Sequence, residues 1–129
     1  MALAATTRIV ANRKNLSTTL HFTANDTVTI AGNTTTSEIA MGDEVVTGGS
    51  ITQVWFGSPG STSGYWTIKR GANTVAVLDS TGYIDFAGCG NSLGLDQSAN
   101  LTVELTGGVG YLVVEITKSG EFTSDYFQV

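Results

Sequence analysis

The chain has 129 residues, of which 41% are hydrophobic and 13% are charged, and its formal net charge at pH 7 is -5. This length suits one domain that buries roughly two-thirds of the surface of its unfolded chain, and the apolar fraction excludes a disordered chain. The acidic balance argues against a general nucleic-acid binder, which needs clustered Lys and Arg to hold phosphates.

The basic residues are concentrated at the beginning of the chain. Half of the six Lys and Arg residues lie within the first sixteen positions: Arg8, Arg13 and Lys14. We interpret residues 1–16 as an N-terminal arm with at most a short strand at Ile9 and Val10, and residues 17–129 as a single β domain.

Strand patterns separated by turn residues follow the arm. Residues 18–24 and 27–31 are two strand-like runs, and Asn25-Asp26 between them predicts a hairpin. Residues 44–47 suit a short edge strand, and residues 50–57 form a strong apolar strand. We expect Trp55 and Trp66, which sit in such patterns, to pack in the core.

The middle of the chain predicts another hairpin. Residues 65–70 alternate between apolar and polar side chains, and Gly71-Ala72-Asn73 turns the chain back into residues 75–78. The alternation predicts one buried face shared by four side chains: Trp66, Ile68, Val75 and Val77. Residues 83–86 suit a brief strand.

The most regular stretch of the chain is residues 100–118. Apolar residues alternate over residues 101–105 and again over residues 112–116, the period expected of a strand with one wet face. Gly107-Gly108 between them predicts a hairpin turn. Eight or nine strands with almost no helix predict an all-β fold, a two-sheet β-sandwich of jelly-roll or Greek-key type.

The residues that could support catalysis or metal binding are few. His21 is the only histidine, and nothing in the sequence links it to Cys89, the only cysteine. Asp79, Asp85 and Asp96 match no compact calcium loop. We therefore predict no catalytic residue, no metal and no cofactor, and a chain that is not an enzyme.

Several aromatic residues suit contacts with a partner or a ligand. Tyr65 and Tyr83, which lie beside glycine turns, are candidates for stacking on a sugar. Tyr111 and Val113 lie on the outer face of the predicted central strand. The C-terminal segment carries three further aromatic residues, as the last strand of the sandwich or as a contact with a partner: Phe122, Tyr126 and Phe127.

The chain resembles a small virion protein of a tailed bacteriophage. The resemblance rests on the initial Met-Ala-Leu-Ala, the Thr-, Gly- and Ser-rich strands, and the run from Gly108 to Lys118. It implies a capsid decoration (cement) protein that binds the outside of the assembled shell as a dimer or trimer. The implied partner is the major capsid protein, with no nucleic acid and no membrane. The implied location is the virion surface, after synthesis in the host cytoplasm.

On this reading we predict two contact regions. The residues expected to touch the capsid are Arg8, Arg13 and Lys14. The residues expected to form a subunit interface are Tyr111, Val113, Phe122, Tyr126 and Phe127. The alternative reading is a carbohydrate- or receptor-binding β-sandwich module of a phage tail or fibre, with Tyr65 and Tyr83 stacking on the ligand.

Overall fold

A computed structural model describes most of the chain: residue 3 and residues 6–14, 16–57, 64–86, 98–107 and 109–121. These residues form nine strands and no helix. Five strands make one antiparallel sheet and four make a second, and the two sheets pack face to face. The predicted all-β sandwich is confirmed.

The nine strands are numbered in chain order. They are β1 (Thr7–Arg13), β2 (Ser17–Phe22), β3 (Asp26–Val28), β4 (Val45–Gly57), β5 (Tyr65–Arg70), β6 (Asn73–Asp79), β7 (Gly82–Asp85), β8 (Leu101–Thr106) and β9 (Tyr111–Glu121). The larger sheet has the order β1-β2-β9-β4-β7, and the smaller sheet has the order β3-β8-β5-β6.

The strand pairing is that of a jelly roll. From β2 onward the first strand pairs with the last, and the pairing continues inward: β2 with β9, β3 with β8, β4 with β7, and β5 with β6. The chain thus behaves as one long hairpin that is rolled around the core, and successive pairs alternate between the two sheets.

This topology makes two of the three predicted hairpins wrong. β2 and β3 lie in opposite sheets, and so do β8 and β9. The Asn25 side chain accepts a hydrogen bond from the Leu105 amide at 2.7 Å, so β8 helps to hold the corner after β2. Gly107, at a φ of 68°, marks the corner between β8 and β9. The predicted hairpin of β5 and β6 is confirmed.

Two segments extend further than the sequence pattern predicts. Residues 7–13, within the predicted arm, form the edge strand β1, which pairs with β2 along its length. The predicted edge strand at residues 44–47 joins the next run into β4, which pairs with β9 and β7 on its two sides. Residues 45–47 have β9 on one side, and on the other side Val46 forms an isolated bridge with Gly32.

The inner faces of the two sheets form the core. Its largest side chain is Trp66, and Leu112, Val114 and Ile116 of the central strand are also fully buried, as predicted. Burying one such side chain contributes about 1.5–3 kcal/mol. Val77 is 61% exposed, against the prediction. A bulge after Ile68 puts Leu78, not Val77, on the buried face.

Charged side chains are also buried inside the fold. The Lys118 ammonium donates to the Glu44 carboxylate at 2.9 Å and to the Asn12 side-chain oxygen at 2.6 Å. The side chains of Lys118 and Glu44 are each 1% exposed. Arg70, at the end of β5, is also buried and donates to the carbonyl of Gly49 on β4. These contacts connect β1, β4, β9 and the smaller sheet.

Candidate functional site

The outer faces of the two sheets have different chemistry. The outer face of the smaller sheet is rich in threonine, and its polar groups are paired with each other. Thr27 and Thr102 share a hydrogen bond of 3.1 Å, and Lys69 forms an ion pair of 3.1 Å with Glu104. This face has the features of an ordinary wet surface.

The outer face of the larger sheet carries one continuous cross-strand row, here called the central row. Strand register places Arg8, His21, Val113, Trp55 and Tyr83 side by side on β1, β2, β9, β4 and β7. The row runs from a cation at one edge of the sheet to two aromatic rings at the other. Among the described residues, no strand packs on this face.

The aromatic end of the central row is an ordered pair of rings. The centroids of Trp55 and Tyr83 are 5.1 Å apart, and the ring planes are tilted by 31°. Trp55 is half-buried and Tyr83 is 50% exposed. The prediction that Trp55 packs in the core is wrong, because Val54 and Phe56 occupy the inward positions on either side of it.

Polar groups hold this ring pair in position. The Tyr83 hydroxyl donates to Gln53 Oε1 at 3.0 Å, and Gln53 Nε2 donates to Glu115 Oε1 at 3.1 Å. Thr52 Oγ1 donates to the same Glu115 oxygen at 2.8 Å. Partial burial, and then the charges of Asp85 and Glu115, raise the pKa of the Tyr83 phenol above its ordinary value. A tyrosine phenol is already protonated at neutral pH, and the raised pKa extends its donor role to higher pH.

Tyr111 extends the aromatic surface beyond the central row. It lies opposite Gly57 in the pairing of β4 and β9 and is 36% exposed. A Cβ atom at Gly57 would lie only 2.5 Å from the Tyr111 ring, so the ring rests on the glycine backbone. Glycine is needed at this position because of that close approach.

The opposite side of the larger sheet is an open, cationic edge. Beyond β1 no further strand pairs among the described residues. Val10 is 62% exposed at a bulge in β1, and Leu16 is 50% exposed in the turn that follows. We call this surface the basic edge, and it consists of Arg8, Val10, Arg13, Lys14 and Leu16.

The three basic residues of this edge are not equivalent. Strand pairing puts Arg8 and Arg13 on the outer face, opposite His21 and Ser17 of β2. Lys14 forms an exposed ion pair with Asp43 of the loop before β4. The Lys14 ammonium, chiefly through its hydrogen bond, holds the pKa of the Asp43 carboxyl below its ordinary value. Lys14 is thus already engaged within the chain.

The structure brings together residues that the sequence assigns to three separate roles. Arg8, Val113 and Tyr83 share the central row, and Tyr111 adjoins it. Tyr65 lies on the smaller sheet, next to Thr106 and Asp79, so it cannot form one platform with Tyr83. The partner of Tyr83 is instead Trp55, which the sequence pattern predicts to lie in the core.

Three predicted interface residues lie outside the described residues, as does Cys89. They are Phe122, Tyr126 and Phe127.

The surface supports binding through shape, charge and aromatic contact. No group of three or more potential metal ligands occurs among the described residues. Within the same residues, no helix has the length and hydropathy needed to cross a membrane.

No protein-family model matches the chain, and no curated protein or solved structure shows significant similarity to it.

Proposed function

We propose that the chain is a virion structural protein that decorates the outside of an assembled phage shell and stabilises it without catalysis. The observation that carries this proposal is the basic edge. An acidic chain of net charge -5 presents arginines, exposed aliphatic side chains and an open strand at one side of its larger sheet. Such an edge offers a neighbouring protein both backbone pairing and charge contacts.

The mechanism of stabilisation is mass action. A protein that binds the assembled shell, and not the free subunits, shifts the equilibrium toward the assembled state. Many equivalent sites on one shell multiply this effect. Viral capsid domains are among the proteins that use the jelly-roll fold. The fold alone does not decide function, so the proposal depends on the basic edge.

Substitution of Val10 tests the proposed contact. We expect Val10→Glu to weaken binding to empty shells about tenfold, which corresponds to about 1.4 kcal/mol, because it puts a carboxylate into an apolar and cationic contact. The shells would be assembled from the major capsid protein of the same genome, and binding would be measured by co-sedimentation. Point substitution is preferred to truncation because removing residues 1–14 would delete β1.

The smaller sheet provides a matched control for this experiment. Val77 on β6 is 61% exposed, nearly the same as the 62% of Val10, and it also lies on an edge strand. Val77→Glu should leave shell binding unchanged. Equal binding by all three proteins, or no binding by the unmodified chain, would contradict the proposal. Binding through this edge should also weaken as salt concentration rises, since surface charge contacts are screened.

A second candidate function is supported by the ring pair. Trp55 and Tyr83 form a tilted aromatic surface beside the side chains of Gln53 and Glu115. This combination suits a saccharide, which stacks its apolar face on aromatic rings and uses polar groups for orientation.

Binding to a glycan array tests this second function. We expect Tyr83→Ala to abolish the binding and Tyr65→Ala, on the other sheet, to preserve it. If the unmodified chain binds no glycan, or if both variants bind equally well, the ring pair is not a saccharide site.

A further inference from the structure

We propose that the outer face of the larger sheet is the interface of a two-fold symmetric dimer, and that its occupant is a second copy of this chain. This inference deepens the proposed function by naming its subunit interface, but its evidence is independent of any shell. It is carried by the order of side chains across the sheet. Each row of side chains across the sheet is complementary to the same row of a second copy that runs in the opposite direction.

The symmetry follows from the position of β9. This strand lies in the middle of the five, with β2 and β4 beside it and β1 and β7 at the edges. A two-fold axis that runs along β9 between two facing sheets places β1 of one copy against β7 of the other. Because the axis is parallel to the strands, each cross-strand row faces its own reversed copy. Such an interface is isologous.

The central row provides matching partners in this arrangement. Val113 faces its own symmetry mate on the axis. His21 of one copy faces Trp55 of the other, which permits ring stacking. Arg8 of one copy faces Tyr83 of the other, which permits a cation–π contact at the edge of the interface. Tyr83 is 50% exposed in the single chain, and this arrangement would cover it.

The next rows are complementary in charge. Asp85 shares a row with Ala11, between the rows of Arg8 and Arg13. In the dimer, Asp85 of one copy therefore faces the small Ala11 of the other and lies between two arginines. Opposite charges at both edges favour this orientation over a rotated one.

One like-charge contact on the axis is avoided by local hydrogen bonds. Glu115 lies on β9, in the row after Val113, and would meet its own symmetry mate. Thr52 and Gln53 hold its carboxylate oxygen toward β4. The two-fold axis puts β4 of the two copies on opposite sides of β9, so the two carboxylates are drawn apart.

The size of the face is sufficient for a stable dimer. The five strands range from four residues in β7 to thirteen in β4. At about 3.3 Å per residue and about 4.8 Å between strands, they cover roughly 650 Å² per copy. This is close to the ~800 Å² per partner that is usual for specific protein interfaces. The open edge of β1, with Val10 and Leu16, lies at the two ends of such a dimer and remains available. Arg8 and Arg13 also serve the dimer, so a shell that binds the dimer at this edge relies chiefly on the open strand and these aliphatic side chains.

Sedimentation equilibrium of the purified full chain tests the dimer. At about 50 µM, where a micromolar dimer is mostly assembled, we expect a mass of about 27 kDa, twice the 13.4 kDa of one chain. Val113→Arg should give a monomer, because it places two like charges on the axis. Val77→Arg, the same substitution on the smaller sheet, should remain a dimer. Circular dichroism and thermal unfolding would establish that both variants fold.

Reversing the charges of Arg8 and Asp85 distinguishes this two-fold interface from any other contact between two copies. Arg8→Glu and Asp85→Arg should each weaken the dimer at least about tenfold, because each puts like charges together at both edges. An equimolar mixture of the two variants should dimerise again. In the mixed dimer the two substituted side chains, now of opposite charge, meet at one edge, and the unmodified Arg8 and Asp85 meet at the other. The double variant Arg8→Glu/Asp85→Arg should recover part of the dimer alone, since opposite charges then meet between positions 8 and 85 at both edges, while the unmodified Arg13 opposes full recovery.

Several outcomes would overturn the inference. The unmodified chain could be a monomer at this concentration, or the dimer could survive Val113→Arg. The mixture of the charge variants could stay monomeric. A glycan could bind Trp55 and Tyr83 on the dimer without dissociating it. None of these measurements involves a shell. A dimer that fails to bind shells would therefore refute only the proposed function, and a monomer that binds them would refute only the interface.

Discussion

Replacing Glu44 with Gln is expected to lower the free energy of unfolding by about 3–5 kcal/mol, the usual effect of breaking a buried ion pair. The substitution leaves the buried Lys118 ammonium without its counter-charge, in a position where its side chain is 1% exposed. Gln still offers an oxygen to the Met41 amide, which now donates to Glu44 Oε1 at 3.0 Å. The loss therefore reports the missing charge. Urea unfolding monitored by tryptophan fluorescence would measure it.

The adjacent residue provides the control for this experiment. Asp43 is 70% exposed in its pair with Lys14, so Asp43→Asn should leave the free energy of unfolding nearly unchanged. The double variant Glu44→Gln/Lys118→Met should recover much of the loss, because it removes both charges and keeps similar volumes. Equal stability of Asp43→Asn and Glu44→Gln would show that the buried pair is unimportant.

The positions of the strands were largely predictable from the sequence, while their partners were not. Alternation along residues 101–105 and 112–116 depends only on local side chains, and both segments are strands with the expected buried face. Turn residues such as Asn25-Asp26 show where the chain changes direction. They do not show whether the next strand pairs in the same sheet or crosses to the other, because core packing between distant segments decides this.

The candidate surface was predictable only in part for the same reason. Arg8, Val113 and Tyr83 were each selected from the sequence, but their common row depends on pairings across four strand neighbours. Trp55 was missed because its neighbours are apolar on both sides. The alternation of Val54 and Phe56 was the available signal, since two inward residues put the one between them on the outer face. The buried Lys118 was also missed. The alternation of Leu112, Val114 and Ile116 extends to residue 118 and was the available signal, but a lysine between polar neighbours is seldom fully buried.

Replacing Arg70 with Met is expected to destabilise the fold by about 3 kcal/mol, since each hydrogen bond from a charged donor contributes about 1.5–3 kcal/mol. The Arg70 guanidinium donates to the Gly49 carbonyl at 2.7 Å, and its Nε and Nη2 donate to the Ala99 carbonyl at 3.2 and 3.1 Å. Gly49 belongs to the larger sheet, and Ala99 precedes β8 of the smaller one. One side chain therefore connects both sheets where the core ends, and Met would leave both carbonyls without this donor.

The neighbouring Lys69 gives the matched comparison. Lys69→Met removes a half-exposed ion pair with Glu104 and should have little effect on stability. Arg70→Lys should be intermediate, because a compact ammonium lacks the planar fork that spans two carbonyls. Hydrogen exchange at the Gly71 amide, which donates to the Asn100 carbonyl beside Ala99 at 2.9 Å, should accelerate in Arg70→Met and not in Lys69→Met. If Arg70→Met matched the unmodified chain in stability and exchange, the cost of burying the guanidinium would equal the benefit of its bonds, and Arg70 would make no net contribution to holding the two sheets together.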